Sequence, residues 1–275
     1  MDHLAAGKFW DANAEAWTKL ARAGHDVYRD HLNTPAFFAL LPPVTGLSGL
    51  DLGCGEGHNT RLLARRGAAM SAIDIAPTFI RHAQAEETRA PLGITYREAS
   101  AVALPFADGT FDFATALMSL MDIPETERVL AEAWRVLRPG GFFQFSILHP
   151  CFHPPHRRKC RDEDNVIHAI EVGDYFVDPA GRVDEWIFGT APESLRRGMP
   201  MFKAPRFHHP ISEWLNLLLD TGFTLERFAE PCPSAETVAA HPSLQDAQVT
   251  AFFLHIRVRK TKSGNCVNPK FRSSI

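Results

Sequence analysis

From Gly49 to Leu148 the sequence alternates between strand-like apolar runs and amphipathic helical stretches. The readings are strand 49–53, helix 58–66, strand 69–75, helix 77–89, strand 94–98, strand 111–118, helix 123–138 and strand 142–148. Strands and helices that take turns across short links fold into a parallel sheet covered by helices on both faces. The helix over 123–138 carries the fullest set of signals. Asp122 and Glu125 have D-x-x-E capping-box spacing, and Pro124 suits a first turn. Val129, Leu130, Ala133, Val136 and Leu137 share one face, and Pro139-Gly140-Gly141 is expected to end the helix.

Ahead of this core, Trp10, Ala14, Trp17 and Ala21 fall at offsets of 0, 4, 7 and 11, which predicts a helix over 4–22 with Gly24 as its stop. A second short helix is expected from Pro35 to Leu41, ended by Pro42 and Pro43. Residues 1–44 therefore read as an N-terminal helical cap and 45–149 as the core. Beyond His149 the rhythm breaks, and residues 150–210 are rich in proline, histidine and aromatics without a period. A stretch of that length is not a bare loop, so it reads as an inserted lid with short strands of its own. Residues 211–259 return to the core, with a helix from Ser212 to Thr221 closed by Gly222 and strands over 223–229 and 249–258. Phe252, Leu254, Ile256 and Val258 alternate with Phe253, His255, Arg257 and Arg259 there, the period of a strand near one sheet edge. Residues 260–275 hold basic residues and no acids and read as a disordered tail.

The chain has 275 residues, of which 45% are hydrophobic, enough to bury a full core. Its formal charge of −3 gives no global field to recruit nucleic acid or an anionic membrane. Five cysteines without a C-x-x-C pair suggest a reducing, cytoplasmic setting, and no apolar run of 18 residues points to a membrane span. The N-terminus carries Asp2, Asp11 and Glu15 and lacks the pattern of an export signal.

Between the first strand and its helix lies Asp51-Leu52-Gly53-Cys54-Gly55-Glu56-Gly57. In a doubly wound sheet this is where ligands meet exposed backbone amides. The spacing is G-x-G-x-G, whereas a dinucleotide fold uses G-x-G-x-x-G, and no Gly-Lys-Ser/Thr follows to make a P-loop. Asp51 and Glu56 would both oppose a pyrophosphate. A phosphate-free, cationic ligand suits the loop better.

Four segments in order, LDLGCGEG, AIDIAP, LPFADGTFD and VLRPGGF, resemble the class I S-adenosylmethionine-dependent methyltransferases over about residues 45–150. The resemblance is to the small-molecule branch with type 11-like motifs, and it implies a seven-stranded, doubly wound Rossmann-like sheet with one antiparallel strand. It also implies S-adenosyl-L-methionine as cofactor. Asp51 would then orient the methionine ammonium, and Gly53, Cys54 and Gly55 would lie along methionine and ribose. Asp74 would accept from both ribose hydroxyls, and Ile75 would pack on adenine. The adenine-contact pair is either Glu98 with Ala99 or Ser100 with Ala101; the second pair keeps the usual distance to Leu104-Pro105. Ala116 and Leu117 would present a backbone carbonyl to the ammonium, while Tyr28, Arg29 and His58 are candidates for the methionine carboxylate.

The acceptor side is sought in the lid. His149, Cys151, His153 and His156, followed by His168, Glu171 and Tyr175, form a cluster from which His149 and His153 are the candidate catalytic bases. Some spacings also resemble metal ligands, but no metal is expected. Phe152, Tyr175, Phe176, Trp186, Phe188, Phe202 and Phe207 supply lid core and a pocket for an apolar or aromatic small molecule. The basic run Arg157-Arg158-Lys159 with Arg161 is followed by Asp162, Glu163 and Asp164 and reads as a solvated charged turn, not a nucleic-acid site. A nicotinamide-dependent oxidoreductase is the alternative chemistry, opposed by the third glycine and by the absence of lysine four residues after Tyr28, Tyr96 or Tyr175. A non-catalytic S-adenosylmethionine-binding protein is the other alternative, and oligomeric state leaves no trace in the sequence.

Overall fold

The computed structural model describes residues 1–261. In chain order, α1 (His3–Arg22), a π-helical turn (Arg29–Asn33) and α2 (Thr34–Leu40) come first. The central run follows as β1 (Ser48–Leu52), α3 (His58–Arg65), β2 (Ala69–Asp74), α4 (Pro77–Arg89), β3 (Thr95–Glu98), β4 (Phe111–Leu117), α5 (Thr126–Val136) and β5 (Leu137–Leu148). Next are β6 (His156–Arg161), β7 (Ile167–Gly173), β8 (Arg182–Trp186), α6 (Glu193–Arg196) and β9 (Phe202–Arg206). The last elements are α7 (Ile211–Asp220), β10 (Phe223–Ala229), α8 (Ala235–Ala240), α9 (Asp246–Val249) and β11 (Phe253–Lys260).

Seven strands form one sheet in the order β10-β11-β5-β4-β1-β2-β3. The pairs among β1 to β5 are parallel, and β11 runs antiparallel to both β5 and β10. The chain order reverses at β1 and β4, so the crevice at their carboxyl ends is the place where such a sheet takes a ligand. One face carries Leu50, Leu52, Phe143, Phe145 and Ile256 against Leu130 of α5 and Trp214 and Leu218 of α7. The other carries Met70, Ala72, Phe113 and Phe142 against Leu63 of α3 and Ile80 of α4. Close-packed layers of this kind are what alternating strand and helix patterns demand.

Several boundaries differ from the sequence reading for identifiable reasons. The fifth helix starts at Thr126, and its N-cap Glu125 makes no side-chain capping bond. Asp122 does not close a capping box because it belongs to a separate 3-10 turn, Leu120–Asp122. The helix also ends at Val136, before the glycines. Leu137 already pairs with Phe111 of β4, and the next matched pair is Phe113 with Phe142, so Pro139-Gly140-Gly141 forms a bulge inside β5. The final strand begins at Phe253 because 246–249 forms a helical turn. Lys260 is part of that strand, not of a tail: its ammonium donates to the carbonyls of Trp134 and Leu137, each at 2.8 Å. Residues 262–275 of the expected tail lie outside the described residues.

Residues 150–210 fold as two antiparallel hairpins, β6 with β7 and β8 with β9. The second is fastened to α1 by aromatic rings: Trp17 lies 5.3 Å from Trp186, 4.9 Å from Phe188 and 5.0 Å from Phe202, centroid to centroid. The N-terminal segment is held to the sheet by buried polar contacts. Asn33 Oδ1 meets Ser146 Oγ of β5 and His255 Nε2 of β11, both at 2.7 Å, and Gln144 donates to the Phe37 carbonyl at 2.8 Å. Trp17→Ala would empty the centre of the ring cluster and is expected to cost about 3–5 kcal/mol of unfolding free energy, read by denaturant titration. A loss under about 1 kcal/mol would mean that the hairpin is not anchored there.

Candidate functional site

The glycine loop after β1 is shaped by three different demands. Gly57 stands at the N-cap of α3 with φ +87°, and a Cβ there would meet Tyr96 Oη at 2.6 Å, so this third glycine serves helix entry and packing. A Cβ on Gly53 would lie 2.4 Å from Ser119 Cβ of the loop after β4. Gly55, at φ +55°, has nothing within 4 Å of its would-be Cβ and leaves the loop open to a ligand.

Two buried carboxyls fix this loop. Asp51 accepts from Thr60 Oγ1 of α3 at 2.6 Å and from Thr115 Oγ1 of β4 at 2.8 Å. Asp74, at the end of β2, accepts from the Gly55 N–H at 2.8 Å and from the Ala76 N–H at 2.9 Å. Burial raises both to about 6, opposed in Asp51 by the threonine hydroxyls and in Asp74 by the backbone N–H groups. Each carboxylate oxygen of Asp74 retains a lone pair after its one backbone bond, so the group can still accept from a diol.

The loop opens on a cavity of about 1150 Å³. Of the residues singled out for the cofactor, Tyr28, Arg29, Asp51, Gly53, Cys54, Gly55, His58, Asp74, Ile75, Ser100, Ala101 and Leu117 line it, and Ala116 does not. Ala99 lines it as well, whereas Glu98 does not, so the structure brings Ser100 with Ala101 to the wall as a complete pair. Ile75 is covered from above by α1, where a Cβ on Gly7 would come within 2.9 Å of it.

The polar groups near the loop are already engaged with one another. Glu56 receives Arg22 Nε at 2.7 Å and has Arg29 Nη1 at 3.7 Å, so its charge is compensated and it does not repel an anion as the bare sequence suggests. Tyr28 donates to Asp246 Oδ1 at 2.5 Å, and burial followed by the Asp246 charge pushes its phenol well up. Its hydroxyl is therefore tied into the wall and not offered to a carboxylate. His58 is pushed down to about 4 by burial and then by Arg29, so it is neutral at ordinary pH.

The lid histidines divide. His149 does not line the cavity: its Nε2 lies 2.7 Å from Glu230 Oε1, and its Nδ1 accepts the Cys151 N–H at 3.2 Å. Both of its ring nitrogens are thus engaged by groups outside the cavity lining. His153 does line the cavity, edge-on to Phe252 at 4.1 Å, and burial pushes its pKa well below the usual histidine range. His156 pairs with Glu171 at 3.0 Å. Among the described residues no group of three or more His, Cys, Asp or Glu side chains could hold a metal ion.

The basic run is not a turn but strand β6, in which Arg158, Lys159 and Arg161 are exposed. Arg157 and Lys159 both reach buried Asp246 at 2.9 Å, and Arg158 pairs with Glu171. Of the lid aromatics, Trp186, Phe188 and Phe207 line the cavity, Phe202 is fully buried, and Phe176 is 85% exposed. Trp10 and Trp17 line it too. Sequence reasoning missed Asp26, Asn33, Asn59, Ser119 and Asp122, which also face the cavity. Burial raises Asp26 to about 6, with Arg29 opposing. None of these five belongs to a recognisable motif; only the D-x-x-E spacing drew attention to Asp122, and for another purpose.

Residues 50–145 match the methyltransferase domain family. Over 96 residues the chain is 35% identical to an uncharacterized protein of Mycobacterium tuberculosis, a match covering 35% of each chain. It is 29% identical over 145 residues to a ubiquinone biosynthesis O-methyltransferase of Ralstonia nicotianae, covering 52% of this chain and 58% of that one. Matches to these curated relatives therefore span about a third to a little over half of their length. Among solved structures, an S-adenosylmethionine-dependent methyltransferase of Mesorhizobium loti superposes with a TM-score of 0.66 at 28% identity, over 82% of this chain and 96% of that one. With the β10-β11-β5-β4-β1-β2-β3 sheet and the acid-flanked glycine loop, these likenesses agree: residues 50–145 carry a methyltransferase domain, in a chain whose fold is similar to that of the S-adenosylmethionine-dependent methyltransferases.

Proposed function

We propose that the protein transfers a methyl group from S-adenosylmethionine to a small molecule held between the glycine loop and the hairpins of residues 150–210. The observation that carries this reading is a single cavity lined at one end by Gly55 and Asp74 and at the other by Trp186, Phe188 and Phe207. Its volume of about 1150 Å³ exceeds that of ordinary single-ligand sites, which run to about 1,000 Å³, and this leaves room for donor and acceptor together. The bound cofactor supplies an electrophilic methyl on a sulfonium. Asp74 holds the ribose, Ile75 and the Ser100–Ala101 pair wall the adenine, and Asp51 sets a negative field beside the methionine end. Positioning then supplies much of the rate.

An apolar or aromatic acceptor suits the lid end, and the likeness to a ubiquinone biosynthesis O-methyltransferase supports an oxygen nucleophile. Nucleic acid is disfavoured because Arg157 and Lys159 are engaged with Asp246, Arg158 with Glu171 and Arg161 with the Asn165 carbonyl. No helix among the described residues is long and apolar enough to cross a membrane. Cys54, Cys151, Cys160 and Cys232 are unpaired thiols, which supports a cytoplasmic setting.

Calorimetric titration should show binding of S-adenosylhomocysteine and none of NAD; the reverse would establish the nicotinamide alternative. Asp74→Ala removes a charge-assisted acceptor of two hydroxyls and should weaken S-adenosylhomocysteine by about tenfold to a hundredfold. Because Asp74 and Asp51 titrate at about 6, wild-type affinity should fall as pH drops through that value and hold steady above it. An affinity flat from neutral pH down to about pH 5 would contradict the roles given to both acids. On the acceptor side, His153→Ala should lower methyl transfer to an accepted substrate, whereas His149→Ala should lower the melting temperature and spare turnover of the folded enzyme. Equal turnover losses in both would restore His149 to the site.

A further inference from the structure

Among the acids that line the cavity, Asp122 stands apart. Glu56 is met by Arg22 and Arg29, Asp246 by Arg157 and Lys159, and Asp184 by Arg206 at 2.9 Å. Asp51 has its threonines and Asp74 its backbone N–H groups. Among the described residues the Asp122 carboxyl, which lines the cavity, has neither a hydrogen-bond nor an ion-pair partner, and the Arg206 guanidinium is the one charge that acts on it.

Its place in the fold is as telling as its lack of a partner. Ser119 Oγ donates to the Leu52 carbonyl at 2.7 Å, which seats the loop after β4 against the glycine loop. The Asp122 N–H closes back on the Ser119 carbonyl at 3.1 Å, so Asp122 stands one tight turn from the donor end of the cavity. Strand β9, which carries Arg206, packs against the same turn from the lid side. Asp122 therefore lies where the donor half of the cavity meets the acceptor half.

We infer that Asp122 is the acceptor-side carboxyl of the methyl transfer, binding the nucleophilic N–H or O–H of the small molecule at the point of attack. This rests on the proposed methyltransferase reading. In the step itself the acceptor's N or O forms a bond to the methyl carbon, the carbon–sulfur bond breaks with its electron pair staying on sulfur, and the acceptor's proton passes to the Asp122 carboxylate. Burial raises Asp122 to about 8, with Arg206 opposing, which makes it a far better proton holder than an ordinary carboxylate. His153, pushed in the opposite direction, holds a proton poorly and suits orientation of the acceptor instead. Of the other groups packed around the turn, Glu125 is met at Oε1 by His3 at 2.9 Å and does not line the cavity, and His209 is shared between Glu213 and Thr126. At this end β5 brings Ser146, Ile147 and Leu148, none of which titrates.

Sinefungin tests the assignment without a known acceptor, because it carries an amine-bearing carbon where the cofactor carries its sulfonium methyl. S-adenosylhomocysteine, which lacks that group, serves as the reference, so effects at Asp51, Asp74 and His58 cancel in the ratio of the two affinities. In the wild type the preference for sinefungin should grow as pH rises from about 6 to about 8.5, as Asp122 ionises. Asp122→Asn should lower that preference by about tenfold at the upper pH and remove its pH dependence, leaving S-adenosylhomocysteine affinity unchanged. A wild-type ratio flat with pH, or an Asn variant that keeps the wild-type ratio, overturns the inference. The wild-type profile decides alone if the variant does not fold. Failure of S-adenosylhomocysteine to bind the wild type would instead bring down the methyltransferase reading, and this inference with it.

Discussion

Everything at the donor end depends on one buried carboxylate clasped by two hydroxyls. Asp51 is the penultimate residue of β1, and its bonds to Thr60 of α3 and Thr115 of β4 tie three elements together at the point where the chain order of the sheet reverses. A buried carboxylate tolerates that place only with such partners. Once the loop is tied there, its next amides are committed too: the Gly55 N–H closes on Asp74 of β2, and Ser119 of the following loop closes on Leu52. The site is thus held by short polar bonds on the ends of three parallel strands, and mobile surface contributes little to its geometry.

A second constraint is charge compensation. A cavity with this many acids in its wall would be costly to bury unless most were paired. Arg22, Arg29, Arg157, Lys159 and Arg206 perform that role from α1, the π-helical turn, β6 and β9, which lie outside the central run of β1 to β5. The appendages therefore act electrostatically as well as by covering the cavity. The cation-rich β6 strand, easily taken for solvated surface, is the clearest case, since buried Asp246 draws Arg157 and Lys159 inward together with the Tyr28 hydroxyl.

How much of this was legible depends on how local the signal is. The strand and helix order of the core and the glycine loop follow from periodicity and spacing within a few residues, Asp74 is reached only through the family resemblance of its AIDIAP segment, and the sheet order agrees with the fold they imply. The bulge at Pro139-Gly140-Gly141 was read as a helix stop because those residues end a helix as readily as they interrupt a strand; only pairing with β4 decides between them. The partners of Glu56 and His149 lie far away in sequence, at Arg22 and Glu230, and no local pattern announces them. Asp122 shows the same limit, since its capping-box spacing is a local signal that tertiary placement overrides. The lid was the least legible part because its strands are short and its rings serve core and cavity alike.

Helix α1 touches both compartments of the cavity. Near its start Gly7 rests on Ile75 at the glycine-loop end, and almost three turns of helix later Trp17 sits in the ring cluster of the β8–β9 hairpin at the other end. One rigid rod thus forms a common wall, and a tilt that uncovers the adenine end also loosens the hairpin. The two ends of the cavity are thus coupled through one helix, and a change in the packing of either is felt at the other.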